Sequence, residues 1–96
     1  MRSIVVTRRA RRQLERASEW WLSNRDKAPE AFDEDVTAGF DAITKNPSIY
    51  PSFDVRRGIR RIMLDRIRYY LYYRVNANGD VEVLSVWHAS RRPPRL

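Results

Sequence analysis

"RYYLYYRVNANGDVEVLSVWH" (Arg68–His88) decides the fold. Two runs rich in β-branched and aromatic residues flank Asn78-Gly79, a pair that supplies the positive φ angles a tight hairpin turn demands. The spacing predicts one strand over 68–75 and another over 81–88. Alternation along the first puts Tyr69, Leu71, Tyr73 and Val75 on one face, and Arg68, Tyr70, Tyr72 and Arg74 on the other. The first set reads as a core face. The second sets aromatic rings between arginines, a surface suited to nucleic acid or to a partner peptide.

Upstream, "IRRIML" (59–64) predicts a third strand, which makes an antiparallel meander with the hairpin. The stretch before it, "PSIYPSFDVRRG" (47–58), reads as a loop punctuated by Pro47, Pro51 and Gly58. Two helical stripes precede that loop. In the first, Ala10, Leu14, Ala17 and Trp21 recur at three- and four-residue steps behind a capping Thr7. In the second, Phe32, Val36, Phe40 and Ile43 recur after Pro29 and stop at Asn46, which precedes a proline. A short β-branched run, "SIVVT" (3–7), opens the chain as a strand. The order β-α-α-β-β-β predicts an α+β domain, a mainly antiparallel sheet with a helical hairpin on one face. Residues 1–96 suffice for one such domain and leave no room for a second core.

Charge narrows the choice of partner. The chain carries 19 basic and 12 acidic residues, a net +7, and 17 of the 19 bases are arginine. Arginine's planar fork suits phosphates, carboxylates and aromatic faces. Asp26–Asp41 nevertheless carries −5, so the remainder sums to +12. Such polarity favours oriented docking on a polyanion or an acidic protein surface. Arg8, Arg9, Arg11, Arg12 and Arg16 crowd the first turns of the first helix, where they oppose its dipole. They read either as a solvated face or as a partner surface, with Trp20 beside them as hairpin cover or contact.

Several chemistries are excluded or weakened. One histidine and no cysteine cannot complete a zinc shell, and no disulfide framework exists. Glycines at 39, 58 and 79 form no phosphate-cradling loop, and no cofactor is expected. Nothing in the spacing of Ser85, His88 and Ser90 supports a nucleophile triad. No apolar run approaches membrane-span length and no signal-peptide core opens the chain, so a cytoplasmic protein with no membrane partner is expected. One enzymatic reading survives, a metal-free ribonuclease with His88 as proton carrier and Arg61, Arg74 and Arg91 as cations. The bland alternative makes His88 a strand-end residue beside Trp87, and Arg91, Arg92 and Arg95 a solvated tail.

Taken together, Asn46-Pro47, Gly58-Ile59-Arg60, Tyr69–Val75 and Val81–Arg92 in this order resemble the RelE/ParE toxin superfamily over essentially the whole chain. The resemblance implies the toxin of a type II toxin–antitoxin pair, bound by a cognate antitoxin in a hetero-oligomer. It leaves two targets. The RelE-like branch cuts mRNA on the ribosome with basic residues on the middle strands and near the C-terminus; the ParE-like branch inhibits DNA gyrase by binding it. Here Tyr70 stands where the ribonuclease branch usually carries arginine, Met63 replaces the second of its paired bases, and no tyrosine or second histidine follows Pro93. Arg61, His88 and Arg91 are what remains of a nuclease set, and the ParE-like reading is favoured. Its contact candidates are Arg8, Arg12, Arg16, Trp20, Arg60, Arg68, Tyr70, Tyr72, Arg74, Arg91 and Arg92. On that reading, alanine at Tyr70 and Tyr72 weakens binding and spares the fold.

Overall fold

The computed structural model describes residues 3–25 and 28–96, which leaves Asp26 and Lys27 of the acidic stretch outside the described residues. The chain runs β1 (Ile4–Val6), α1 (Arg8–Asn24), α2 (Ala31–Lys45), β2 (Ser52–Asp54), β3 (Ile59–Leu64), β4 (Tyr69–Val75) and β5 (Val81–His88). The five strands form one sheet in the order β1-β5-β4-β3-β2. The three long strands pair antiparallel as the meander requires, and β1 joins the edge parallel to β5, with Ile4 opposite Val81.

Local chemistry sets the helix ends. Thr7 Oγ1 accepts the Ala10 N–H and starts α1. Asn46 ends α2, its N–H donating to the Ala42 carbonyl. Both helices lie on one face of the sheet, here called the inner face. Ala10, Ala17 and Trp21 from α1 and Phe32, Val36 and Ile43 from α2 meet Leu64, Leu71, Tyr73, Val81, Val83 and Val86 in one core. Phe40 is only half-buried, and the buried position beside it is Gly39. A Cβ built on Gly39 would lie 2.5 Å from Leu64 Cδ2 and 3.0 Å from Leu71 Cδ1. The backbone of α2 therefore sits as close to the sheet as a residue without a side chain permits.

Three expectations need correction. The 47–58 segment is not loop throughout, because Ser52–Asp54 adds a short edge strand against Arg60 and Ile59. Arg68 does not begin a strand: it closes the β3–β4 turn with φ 63, a left-handed conformation uncommon outside glycine. The turn is held by Asp35 of α2, whose Oδ2 accepts the backbone N–H groups of Arg66 and Ile67 at 2.8 and 3.0 Å. Finally, Tyr72 points outward as alternation requires, yet is only 1% exposed.

Strand β5 also breaks its own alternation. Tyr72 pairs with Ser85 but Tyr73 pairs with Val83, so Leu84 is an extra residue in the ladder. Inward residues therefore switch from Val81 and Val83 to Val86 and His88. Gln13 of α1 docks at this bulge: its Oε1 accepts both the Ser85 hydroxyl at 2.9 Å and the Val86 N–H at 2.8 Å. A buried polar serine is thereby satisfied and α1 is fixed against the end of the sheet.

Candidate functional site

The outer face of the sheet, opposite the helices, gathers Arg61, Tyr70, Tyr72 and Arg74. Register places Arg61 opposite Tyr72, Met63 opposite Tyr70, and Tyr70 opposite Trp87. The Arg61 guanidinium lies 4.1 Å from the centre of the Tyr70 ring and 5.5 Å from that of Phe53. Its Nη1 donates to the Tyr72 hydroxyl at 3.3 Å. Phe53 packs edge-on against Tyr72 with centroids 4.8 Å apart. On the next strand, Arg91 covers Trp87 at 4.0 Å. Two guanidinium groups thus cap two neighbouring rings, a geometry worth about 0.5–1 kcal/mol per pair at exposed sites.

The chain after β5 lies against this face instead of trailing into solvent. Trp87 Nε1 donates to the Arg92 carbonyl at 2.8 Å, Arg9 donates to the Arg95 carbonyl, and Pro94 is buried. Leu96 shares a small cleft with Arg74 and Leu84 of the outer face. Arg74 is itself committed, its Nε paired with Glu82 at 2.9 Å.

At the opposite edge, α1 and the ends of β4 and β5 border a cleft of about 380 Å³ lined by Gln13, Arg16, Trp20, Tyr69, Trp87, His88 and Arg91 among others, so Trp87 and Arg91 sit at the rim shared by this cleft and the outer face. His88 stacks edge-on against Tyr69, centroids 5.0 Å apart. Its Nδ1 accepts the Ser90 N–H at 3.1 Å and lies 2.6 Å from Ser90 Oγ, so the free ring nitrogen is Nε2. Burial raises the Tyr69 phenol above its ordinary pKa, and the positive charge of Arg91 opposes that shift. Tyr73 lies deeper, its hydroxyl donating to the Pro47 carbonyl at 2.6 Å; burial pushes its pKa up to about 12, with Arg60 pulling down and Tyr50 adding to the rise. Neither phenol is poised to lose a proton near neutral pH.

The three residues of the ribonuclease reading do not converge. Arg61 is on the outer face, while His88 is on the inner face beside Tyr69. Their rows are three residues apart on β4, about 10 Å along the strand, with two strand spacings of about 4.8 Å between them. Only Arg91 neighbours His88. Arg60 lies on the inner side with Tyr73 and donates to the Tyr50 carbonyl at 2.7 Å, so it is apart from the outer cluster. Arg68 is exposed on its turn. Arg8, Arg9, Arg11, Arg12 and Arg16 are all exposed along α1. Trp20 is 49% exposed with Arg25 over its ring at 5.6 Å, whereas Trp21 is buried and donates its indole N–H to the Ala28 carbonyl. Among the described residues, no group of His, Cys, Asp and Glu side chains is placed to hold a metal ion, and no helix is long and apolar enough to cross a membrane.

Sequence reasoning missed Phe53, because "SFD" between Pro51 and Gly58 reads as loop. It also missed Gln13 and the pairing of Arg91 with Trp87. The bulge left a readable trace: the apolar positions of "VEVLSVWH" shift from odd to even numbers after Leu84.

No curated protein matches the chain in sequence. Among solved structures, the chromosomal ParDE toxin–antitoxin system from P. aeruginosa contains a chain of the same fold. It is 18% identical, with a TM-score of 0.76 over 94% of this chain and 98% of that one. A family model for the ParE toxin of the type II toxin–antitoxin system parDE matches residues 4–93, nearly the full length, and the chain belongs to that family.

Proposed function

We propose that this toxin acts by binding DNA gyrase and inhibiting it, in the cytoplasm, and that a cognate antitoxin neutralises it in a hetero-oligomeric complex. The observation that carries this reading is the separation of Arg61 from His88 on opposite faces of the sheet. A metal-free nuclease needs its cations and its proton carrier around one phosphate, within hydrogen-bond reach. Binding imposes no such convergence. It asks for exposed, ordered and chemically distinctive surface, and two regions offer it. Five exposed arginines line α1 beside the exposed Trp20, and arginine-capped rings line the outer face. The antitoxin, on this reading, brings acidic groups to the first of these.

The second reading, a ribosome-dependent mRNA endoribonuclease, draws on one specific feature. His88, Arg91 and Arg16 line the same cleft, which is an imidazole with two cations. A growth assay separates the two. His88→Ala, expressed without antitoxin, is expected to arrest growth as the parent does, within about twofold in the inducer needed. Removal of a general acid–base typically costs 10²–10⁴ in rate, so a non-toxic His88→Ala protein that is still folded would transfer the assignment to the nuclease reading.

A further inference from the structure

We infer that the outer face of the sheet binds single-stranded DNA, through a ladder made of Arg61, Tyr70, Trp87 and Arg91. Tyr70 and Trp87 are register partners on adjacent strands, so their Cβ atoms stand about 5 Å apart and both side chains leave the sheet on the same face. Each is capped by a guanidinium, at 4.1 and 4.0 Å from the ring centre. At these distances each guanidinium lies over its ring, and its remaining N–H groups are available to a phosphate. Arg61 gives one of those N–H groups to Tyr72, which fixes its rotation without using its fork.

Charge supports a polyanion here. Among the described outward residues of the three long strands the one acid, Glu82, is paired with Arg74. An acidic peptide would be attracted too, but it has no use for stacked planes. Bases do, and guanidinium planes and aromatic rings are the usual platforms for unpaired bases. A duplex buries its base faces in its own stack and offers only backbone and groove edges, so a stacking ladder favours single strands. The choice of DNA over RNA rests on the gyrase reading, because gyrase acts on DNA. The ladder would then hold a DNA strand while α1 faces protein.

The test uses the purified full chain and a labelled dT12 oligonucleotide, with affinity read by fluorescence anisotropy. Wild type is expected to bind in the range of about 1–100 μM and to weaken as salt rises. Tyr70→Ala and Trp87→Ala are each expected to weaken binding about tenfold, the lower part of the range for loss of one stacking platform. Arg91→Gln changes an exposed residue and carries the same test without risk to the fold, with a loss of about fivefold. Arg66→Gln, on the helix side where it pairs with Glu34, is expected to change affinity less than about twofold. The inference is overturned if dT12 does not bind, if U12 binds and dT12 does not, or if the ladder variants bind dT12 within twofold of wild type. Gyrase supercoiling, assayed on the same preparations, reports separately: wild-type protein that binds dT12 and leaves gyrase untouched refutes the gyrase reading and not the ladder.

Discussion

Tyr72→Ala is expected to destabilise the protein by about 3–5 kcal/mol, the usual cost of removing a large buried aromatic side chain, whereas Tyr70→Ala is expected to cost no more than about 1 kcal/mol. The two residues are one alternation apart and share the outer face, yet their surroundings differ. Tyr72 is 1% exposed, with Phe53 against its ring and Arg61 donating to its hydroxyl. Tyr70 is half-buried, with a guanidinium over it. Urea unfolding followed by circular dichroism measures both. Equal midpoints for the two variants would mean that Tyr72 is not the second, outward-facing core that these contacts describe. The consequence for function is direct: lost toxicity in Tyr72→Ala reports unfolding, so Tyr70→Ala is the variant that reports contact.

Gly39→Val is expected to cost about 3 kcal/mol and to lower Tm by roughly 15 °C, at the upper end for overpacking a core. A Cβ at this position already meets Leu64 Cδ2 at 2.5 Å. Valine adds two methyl groups that point along the helix surface toward β3 and β4. Either α2 lifts from the sheet, opening the contact between Ile43 and its neighbours, or Leu64 and Leu71 leave their rotamers. Gly39→Ala is a milder case, because improved helix propensity of about 1 kcal/mol offsets part of the clash. Leu64→Ala should recover part of the loss in a Gly39→Val background, since the two changes share one volume. A Gly39→Val protein that melts within about 2 °C of wild type would show that α2 packs less closely than described.

Most of the fold was legible in the chain because it is written in short-range periodicity. The Asn78-Gly79 turn, the two helical stripes and the capping Thr7 each act within a few residues and all form, although Gly39 and not Phe40 takes the buried position on α2 and only Gly79 of the turn pair has a positive φ. The short edge strand at Ser52–Asp54 was not, since three residues beside two prolines carry no period of their own and gain their pairing from β3. Alternation assigned Tyr72 to the outer face correctly but could not say what covers that face. Its cover includes Phe53, from a segment read as loop, and the chain after β5 lies against the same face instead of forming a solvated tail.

The site was legible in kind and less so in arrangement. Arginine and tyrosine alternating along β4 marked the outer face, and the absence of a second paired base at Met63 marked the departure from a nuclease pattern. That branch assignment is consistent with the family match over residues 4–93. What the sequence could not give is which side of the sheet each cation faces once strands are placed side by side. Arg60 and Arg61 are neighbours in the chain and face opposite layers, one toward Tyr50 and one toward Tyr70. His88 reaches the inner face only because Leu84 shifts the register of β5 by one residue.

Adding the purified toxin to two reactions, gyrase supercoiling of a relaxed plasmid and ribosomes translating a defined mRNA, separates the two targets. Gyrase inhibition by binding predicts lost supercoiling with trapped DNA breaks, and intact mRNA. Cleaved mRNA beside normally active gyrase would contradict it, and would make the cleft of His88, Arg91 and Arg16 the place to look for catalysis.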